Sequence, residues 1–284
     1  MVFFLLFLLF FIIFFFSIYR KKDYLFLKRA IKKNKIKVFI QPIVNLHDNS
    51  IAGGEVLLRW FDSKKISIPP EHFIRIAENN NLLFDLTEIS FLKIANEVLM
   101  HKEKINTKIF VSFNINASQI KENRLINICG DFIKKVNSPM IKITLELTEH
   151  DFIVIDDNVK RNLNILKGMG VNIALDDFGS KNSNLNYLLE FIPSYIKIDK
   201  AFIRSINNND IAKYIVEELV VLSTKLSIKT IAEGVECEEE LTELKHINID
   251  YIQGHLFGKA IHYKNFFDVL YSDKDTIKRE SPRI

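Results

Sequence analysis

The chain is patterned as a rhythm that leaves few folds open. Between residues 36 and 271, short apolar runs of strand character alternate with amphipathic helical stretches, about eight times over. The strand readings are Val38–Val44, Ile51–Trp60, Lys108–Ile115, Ile141–Leu147, Val171–Leu175, Tyr195–Ile198, Ser227–Ala232 and Tyr251–Ile252. Between them, helical periodicity covers Leu82–His101, Ala117–Val136, Asn158–Met169, Asp210–Leu226 and Glu238–His246. Repeated strand-then-helix units predict a parallel α/β barrel of the TIM type. A doubly wound open sheet is the alternative, and it usually carries a glycine-rich phosphate loop after its first strand. The turn over residues 45–50 (NLHDNS) has no such loop.

Barrel enzymes build their sites at the C-terminal ends of the strands. The polar residues at those positions are Glu55, Asn114, Glu146, Asp176 with Asp177, Lys197, Glu233 and Gln253. Each alone is an ordinary cap or turn residue; delivered together to one rim they form a site. Two adjacent carboxylates at a strand end repel each other, most strongly where water is scarce, so they call for cations. Oxygen ligands without His or Cys favour a hard cation, Mg²⁺ or Mn²⁺, over zinc. A metal pair bridged by Asp176 suits in-line attack of water on a phosphodiester. Lys197 is then placed to hold the water or to neutralise an oxyanion, and Glu233 to bind metal and take a proton. Arg59 lies four residues beyond Glu55, on the same strand face, and can grip a phosphate or pair with a rim acid.

Residues 1–19 (MVFFLLFLLFFIIFFFSIY) carry no charged side chain. As a helix they would reach about 28 Å, near the thickness of a bilayer core. The rival, a cleaved signal, wants a basic start, a shorter apolar core and a small-residue cleavage site, all of which are missing here. A basic run follows: Arg20, Lys21, Lys22, Lys28, Arg29, Lys32, Lys33, Lys35 and Lys37. That charge would hold the following body in the cytoplasm, making a single-pass inner-membrane protein. The expected organisation is an anchor over 1–19, a basic juxtamembrane helix over 20–35, the barrel over 36–271 and a polar tail over 272–284. The net charge of +4 is owed largely to the basic run, and no motif for a nucleic-acid polymer accompanies it. Cys129 and Cys237, the two cysteines, have neither metal-ligand nor disulfide spacing.

The motifs themselves are QPIV at Gln41, GGEVLLRW around Glu55, FNIN at Asn114, ELTE at Glu146, ALDDFGS at Asp176, IKID at Lys197, AEGVE at Glu233 and QGHLFG at Gln253. In order and spacing, over about residues 28–270, this set resembles the EAL family of bacterial cyclic di-GMP phosphodiesterases. The resemblance implies a (β/α)8 barrel variant with one antiparallel strand, and conversion of cyclic di-GMP to linear pGpG with two Mg²⁺ or Mn²⁺ ions. It implies that Glu55, Asn114, Glu146 and Asp176 hold one ion, and Asp176, Asp177 and Glu233 the other. It further implies that Lys197 contacts the catalytic water, that Gln41, Arg59 and Gln253 lie near the substrate or metal shell, and that Glu236 is a guanine-side or outer-shell acid. Glu149 corresponds to a glutamate that orients the loop after the Asp pair, a loop tied to homodimer formation.

This sequence departs from the family pattern in places. Val56 stands for Ala in the namesake tripeptide, pointing away from the metal side. Asn116 stands where Ser is usual, and Arg75 where Pro is. The loop reads DFGSKNSNL where DFGTGYSSL is common, so Lys181 replaces a glycine, at roughly 1 kcal/mol if that position is left-handed. Two other functions fit the same motifs: an inactive barrel that binds cyclic di-GMP and signals through a partner, and a decaying membrane-tethered remnant.

Overall fold

The computed structural model describes residue 7 and residues 21–62, 65–148, 155–179 and 186–270. Its strands in chain order are β1 (Ile36–Asn45), β2 (Ile51–Phe61), β3 (Ser67–Ile68), β4 (Ile109–Ile115), β5 (Ile141–Thr148), β6 (Asn172–Phe178), β7 (Tyr195–Ile198), β8 (Lys229–Glu233), β9 (Tyr251–Gln253) and β10 (Ile261–His262). They join in the order β10-β1-β9-β8-β7-β6-β5-β4-β2-β3, with β1 also paired to β2. Setting aside the two-residue strands β3 and β10, the remaining eight close into a ring through the β1–β2 and β1–β9 pairings.

Every neighbouring pair from β2 through β4 to β9 is parallel, whereas β1 runs antiparallel to β9. This is the α/β barrel with one antiparallel strand that the family resemblance implies. The geometry follows from the connections. A parallel neighbour needs a crossover, and helices supply it; β1 reaches β2 through a tight turn in which Asn45 N–H donates to the Ser50 carbonyl at 2.8 Å.

The parallel strands are buried on both faces, so they read as near-continuous apolar runs. In β4 only Asn114 is exposed. The helices carry the complementary stripe. Over the helix Asn123–Val136 the buried residues are Leu125, Ile128, Cys129, Phe132 and Val136, a one-faced helical spacing. Phe132 and Phe91 pack on Phe113 of β4, with Phe91 stacked at 3.8 Å. Each such side chain contributes about 1.5–3 kcal/mol of burial.

Two compact units divide the chain. One takes the described residues up to Lys37 together with Leu58–Ile89; the other takes Val38–Leu57 and the chain from Ser90 onward. In the first, residues 21–32 form a helix, and Leu27, Trp60, Phe73 and Leu86 share a core in which Trp60 meets Phe73 edge-on at 6.0 Å. Its helix over Pro70–Glu78 starts on a proline, whose fixed φ and missing N–H suit a first helical turn. The second unit holds most of the barrel.

Three local expectations are corrected. The strand at Val171–Leu175 does not stop before the Asp pair; β6 continues through both acids to Phe178. The single helical region over Ala117–Val136 is two helices: Asn116 and Gln119 form a capping box that starts the one-turn helix Ala117–Ile120, and a second helix starts at Asn123. A short helix, Lys200–Ser205, follows β7 where the spacing gives no sign of one; Asp199 caps it by accepting from Ala201 N–H at 2.7 Å. Among the described residues no helix is long and apolar enough to cross a membrane. The apolar segment over 1–19 lies outside the described residues apart from Phe7.

Candidate active site

The rim acids are positioned by register. Asn114 pairs with Glu146 and Glu233 with Gln253, so these strand ends bring their polar side chains level, while Asp176 lies two residues beyond the partner of Glu146 on β6. At the centre stands Lys197 on β7, with a side chain only 1% exposed. Its ammonium lies 2.8 Å from Glu146, 2.8 Å from Asp176, 2.6 Å from Glu233 and 3.6 Å from Glu55. Glu55 is fixed on both oxygens: Asn114 donates to Oε1 at 2.7 Å and Gln253 to Oε2 at 2.7 Å. Gln253 also donates to Gln41 at 3.4 Å, and Gln41 donates to the Gly258 carbonyl at 3.3 Å.

A regular strand points neighbouring side chains to opposite faces. Asp176 and Asp177 escape that rule. The β6–β7 pairing slips between Leu175 and Phe178, and Asp177 takes a left-handed backbone at φ +52°. With that bulge, carboxylate oxygens of Asp176, Asp177 and Glu233 all come within 4.8 Å of one another. A second device locks the turn after β8. A Cβ on Gly254 would sit 2.0 Å from the Val235 carbonyl, so only glycine lets the β9 turn pack there, and Val235 N–H donates to the Gln253 carbonyl at 3.1 Å.

Four carboxyls thus face one ammonium, with Asp177 beside them, and the ionisation equilibria follow from that imbalance. Burial works to discharge Lys197, but the surrounding acids more than reverse this and hold it well above the usual lysine range. It is a fixed positive charge. Burial pushes Glu146 up to about 8, against the pull of Lys197 and with the help of Glu55 and Asp176. Burial likewise raises Glu233 well above its ordinary value. Asp177 is pushed up to about 6, by burial first, then by Asp176 and Asp199. Glu55 goes the other way: burial opposes it, but Lys197, Gln253 and Asn114 lower it. The cluster holds protons because it is short of cations.

The residues fit a divalent ion. All donors are oxygens, and one buried member of the set, Glu146 Oε1, has no hydrogen-bond partner. One consequence is a pH dependence. An acid with a raised folded value stabilises the fold fully below its ordinary 4.5 and loses that contribution as pH rises to about 8. The chelated protein should therefore melt at a lower temperature as pH climbs through this window. Mn²⁺ should raise the melting temperature more at the alkaline end, and Glu146→Gln should flatten the slope; calorimetry across the pH range measures all three.

The remaining candidates from the motifs divide. Glu236 is exposed, paired with Arg204 of the helix Lys200–Ser205, and 3.8 Å from His255. Arg59 belongs to the other compact unit, where its Nη1 donates to the Leu58 carbonyl at 3.0 Å. Glu149 and the loop over 180–185 lie outside the described residues. Asp199 escapes a reading of the sequence; the IKID motif contains it, but nothing in the spacing announces that it both caps the following helix and presses on Asp177.

Several solved structures share this architecture. The EAL enzyme Bd1971, in a form bound to cAMP and cyclic di-GMP, superposes with a TM-score of 0.79 at 28% identity over 89% of this chain and 69% of that one. The PaMucR phosphodiesterase in complex with c-di-GMP gives 0.76 at 26% identity, covering 84% of this chain and 97% of that one. Among curated proteins, the probable cyclic di-GMP phosphodiesterase PdeG of Escherichia coli K12 is 33% identical over 246 residues, which is 87% of this chain and 48% of PdeG. The cyclic di-GMP phosphodiesterase RocR of Pseudomonas aeruginosa is 28% identical over 84% of this chain and 61% of its own length. The chain spans about half the length of PdeG. A family model described as the EAL domain matches residues 26–260, and on that match the chain belongs to the EAL-domain family.

Proposed function

We propose that this chain is a membrane-anchored phosphodiesterase that opens cyclic di-GMP to linear pGpG. The observation that carries the reading is the convergence of Asp176, Asp177 and Glu233 beside a buried, permanently charged Lys197. Relatives named as cyclic di-GMP phosphodiesterases supply the substrate. Two divalent ions, Mg²⁺ or Mn²⁺, held by Glu55, Asn114, Glu146 and Asp176 and by Asp176, Asp177 and Glu233, would supply Lewis-acid charge to the phosphodiester and its attacking water.

The protein's own groups do the rest. Asn114 and Gln253 hold the Glu55 carboxylate in one orientation. Lys197 donates to the attacking water and stays charged while negative charge builds on the phosphoryl oxygens. Glu233, kept ionised by the divalent charge it would bind, takes a proton from that water. Water adds to phosphorus in line, the P–O3′ bond opens, and the 3′-oxygen leaves to be protonated by solvent, giving a 5′-phosphate. Gln41 and Glu236 stand nearer the periphery and contact substrate.

The apolar segment over 1–19 and the basic residues after it support an inner-membrane anchor, with the barrel over 36–271 in the cytoplasm. A homodimer through the loop after β6 belongs to the same reading. The test is to incubate the full chain in detergent with cyclic di-GMP and Mn²⁺ and separate the products. The expected result is stoichiometric pGpG that vanishes with EDTA, from protein that sediments with membranes. Binding of cyclic di-GMP without turnover would replace the enzyme by a sensor.

A further inference from the structure

At the opposite end of the barrel from the acids, a cavity of about 610 Å³ opens among the first residues of the strands. Its floor is aromatic. Phe110 stacks on Tyr195 with ring centroids 4.9 Å apart, and Tyr251 meets them edge-on at 5.7 and 6.0 Å. Ile43 and Ile231 pack with Phe110. Both tyrosines are half-buried, and neither hydroxyl has a hydrogen-bond partner among the described residues. The N-terminal face of such a barrel ordinarily serves stability alone. Here the strand starts instead leave an opening that both tyrosines line.

The rim gives the sign of the ligand. Lys108 and Lys142 line the cavity and are exposed. Against these two lysines the rim carries one acid, Asp48, while Asp250 beside the tyrosines is offset by its ion pair with Lys229 at 2.6 Å. The balance at the mouth is basic. Aromatic faces want a planar ring, paired lysines want an anion, and free hydroxyls want the polar edge of that ring. The volume lies within the range of small-molecule sites, about 300–1,000 Å³.

We propose that this cavity binds a purine mononucleotide, its base against the partly exposed rings of Tyr195 and Tyr251 and its phosphate toward Lys108 and Lys142. The site goes beyond the phosphodiesterase reading and does not need it. The same strands join the two ends: Tyr195 is two residues from Lys197 and Phe110 four from Asn114, about 7 and 13 Å along a strand.

Titration calorimetry of the full chain in EDTA, with 5′-GMP as probe and inorganic phosphate as control, tests this without any turnover. One site per chain is expected, with Kd between about 10 µM and 1 mM, and with phosphate alone at least about tenfold weaker. Lys142→Glu, on the exposed rim, should weaken 5′-GMP by about tenfold or more. Tyr251→Phe, which removes only a hydroxyl, should weaken it about threefold to tenfold. Glu146→Gln, at the far rim, should leave it unchanged. No saturable heat up to about 10 mM, loss of binding in Glu146→Gln rather than Lys142→Glu, or equal binding of phosphate would each overturn the proposal.

Discussion

Replacing Lys197 with methionine should cut the hydrolysis of cyclic di-GMP by about 10²–10⁴-fold, and added Mn²⁺ should restore none of it. The side chain has nearly the volume of lysine, so the change is one of charge. Glu146, Asp176 and Glu233 each lie within 2.8 Å of the ammonium and lose their common counter-ion. Breaking a buried ion pair on one side costs about 3–5 kcal/mol. In EDTA, then, Lys197→Met should be destabilised by that order near pH 8. Near pH 5 the loss should be smaller, because protonation quiets Glu146 and Glu233. Saturating Mn²⁺ should recover much of the stability, since a cation is again present, but not the turnover, since the donor to the water is not. Denaturant titrations with and without Mn²⁺, beside product analysis, separate the two effects. Turnover within tenfold of the parent would remove Lys197 from the chemistry.

Asp176→Asn makes the opposite prediction for stability. Asp176 is the one carboxylate assigned to both ions, and it sits against Asp177 and Glu233 with no intervening cation but Lys197. Neutralising it should reduce hydrolysis by about 10³-fold or more, because both ion sites lose a charged ligand. The chelated variant should nonetheless unfold no more easily than the parent, since repulsion within the cluster falls; Asp177, held at about 6 in part by Asp176, should titrate lower. A site that is less active and no less stable when disarmed is a site built for function at the expense of the fold. Carboxyl titration followed by NMR, with melting curves, checks this. A stability loss of several kcal/mol would mark Asp176 as structural.

Much of the barrel is legible in the sequence because parallel strands buried on both faces have little freedom in composition. The runs at Ile109–Ile115 and Ile141–Thr148 could hardly be anything else. The antiparallel β1 is not legible in its own apolar pattern; the only local sign is the five-residue turn to β2, too short for a parallel crossover. The rim acids are legible as residues at strand ends, and Glu55, Asn114, Glu146, Asp176, Lys197, Glu233 and Gln253 do gather there. What stays hidden is the bulge. A DD pair reads as a turn by composition, and only the slipped register with Asp177 at φ +52° turns both acids to one side. Burial of Lys197 is hidden too, because lysine in a short IKID run gives no sign that four acids will close over it. The tyrosines of the far cavity read merely as the starts of strands β7 and β9, since a cavity is a property of the ring and not of any one strand.

The carboxylates gathered at one rim are assigned a pair of divalent cations that share Asp176, and anomalous diffraction from crystals grown with Mn²⁺ is the sharpest test of that assignment. Two peaks should appear per chain, both in contact with Asp176, one also on Glu55, Asn114 and Glu146, and the other also on Asp177 and Glu233. Full Mn²⁺ occupancy elsewhere with no peak on Asp176, or a single ion on surface acids, would contradict it.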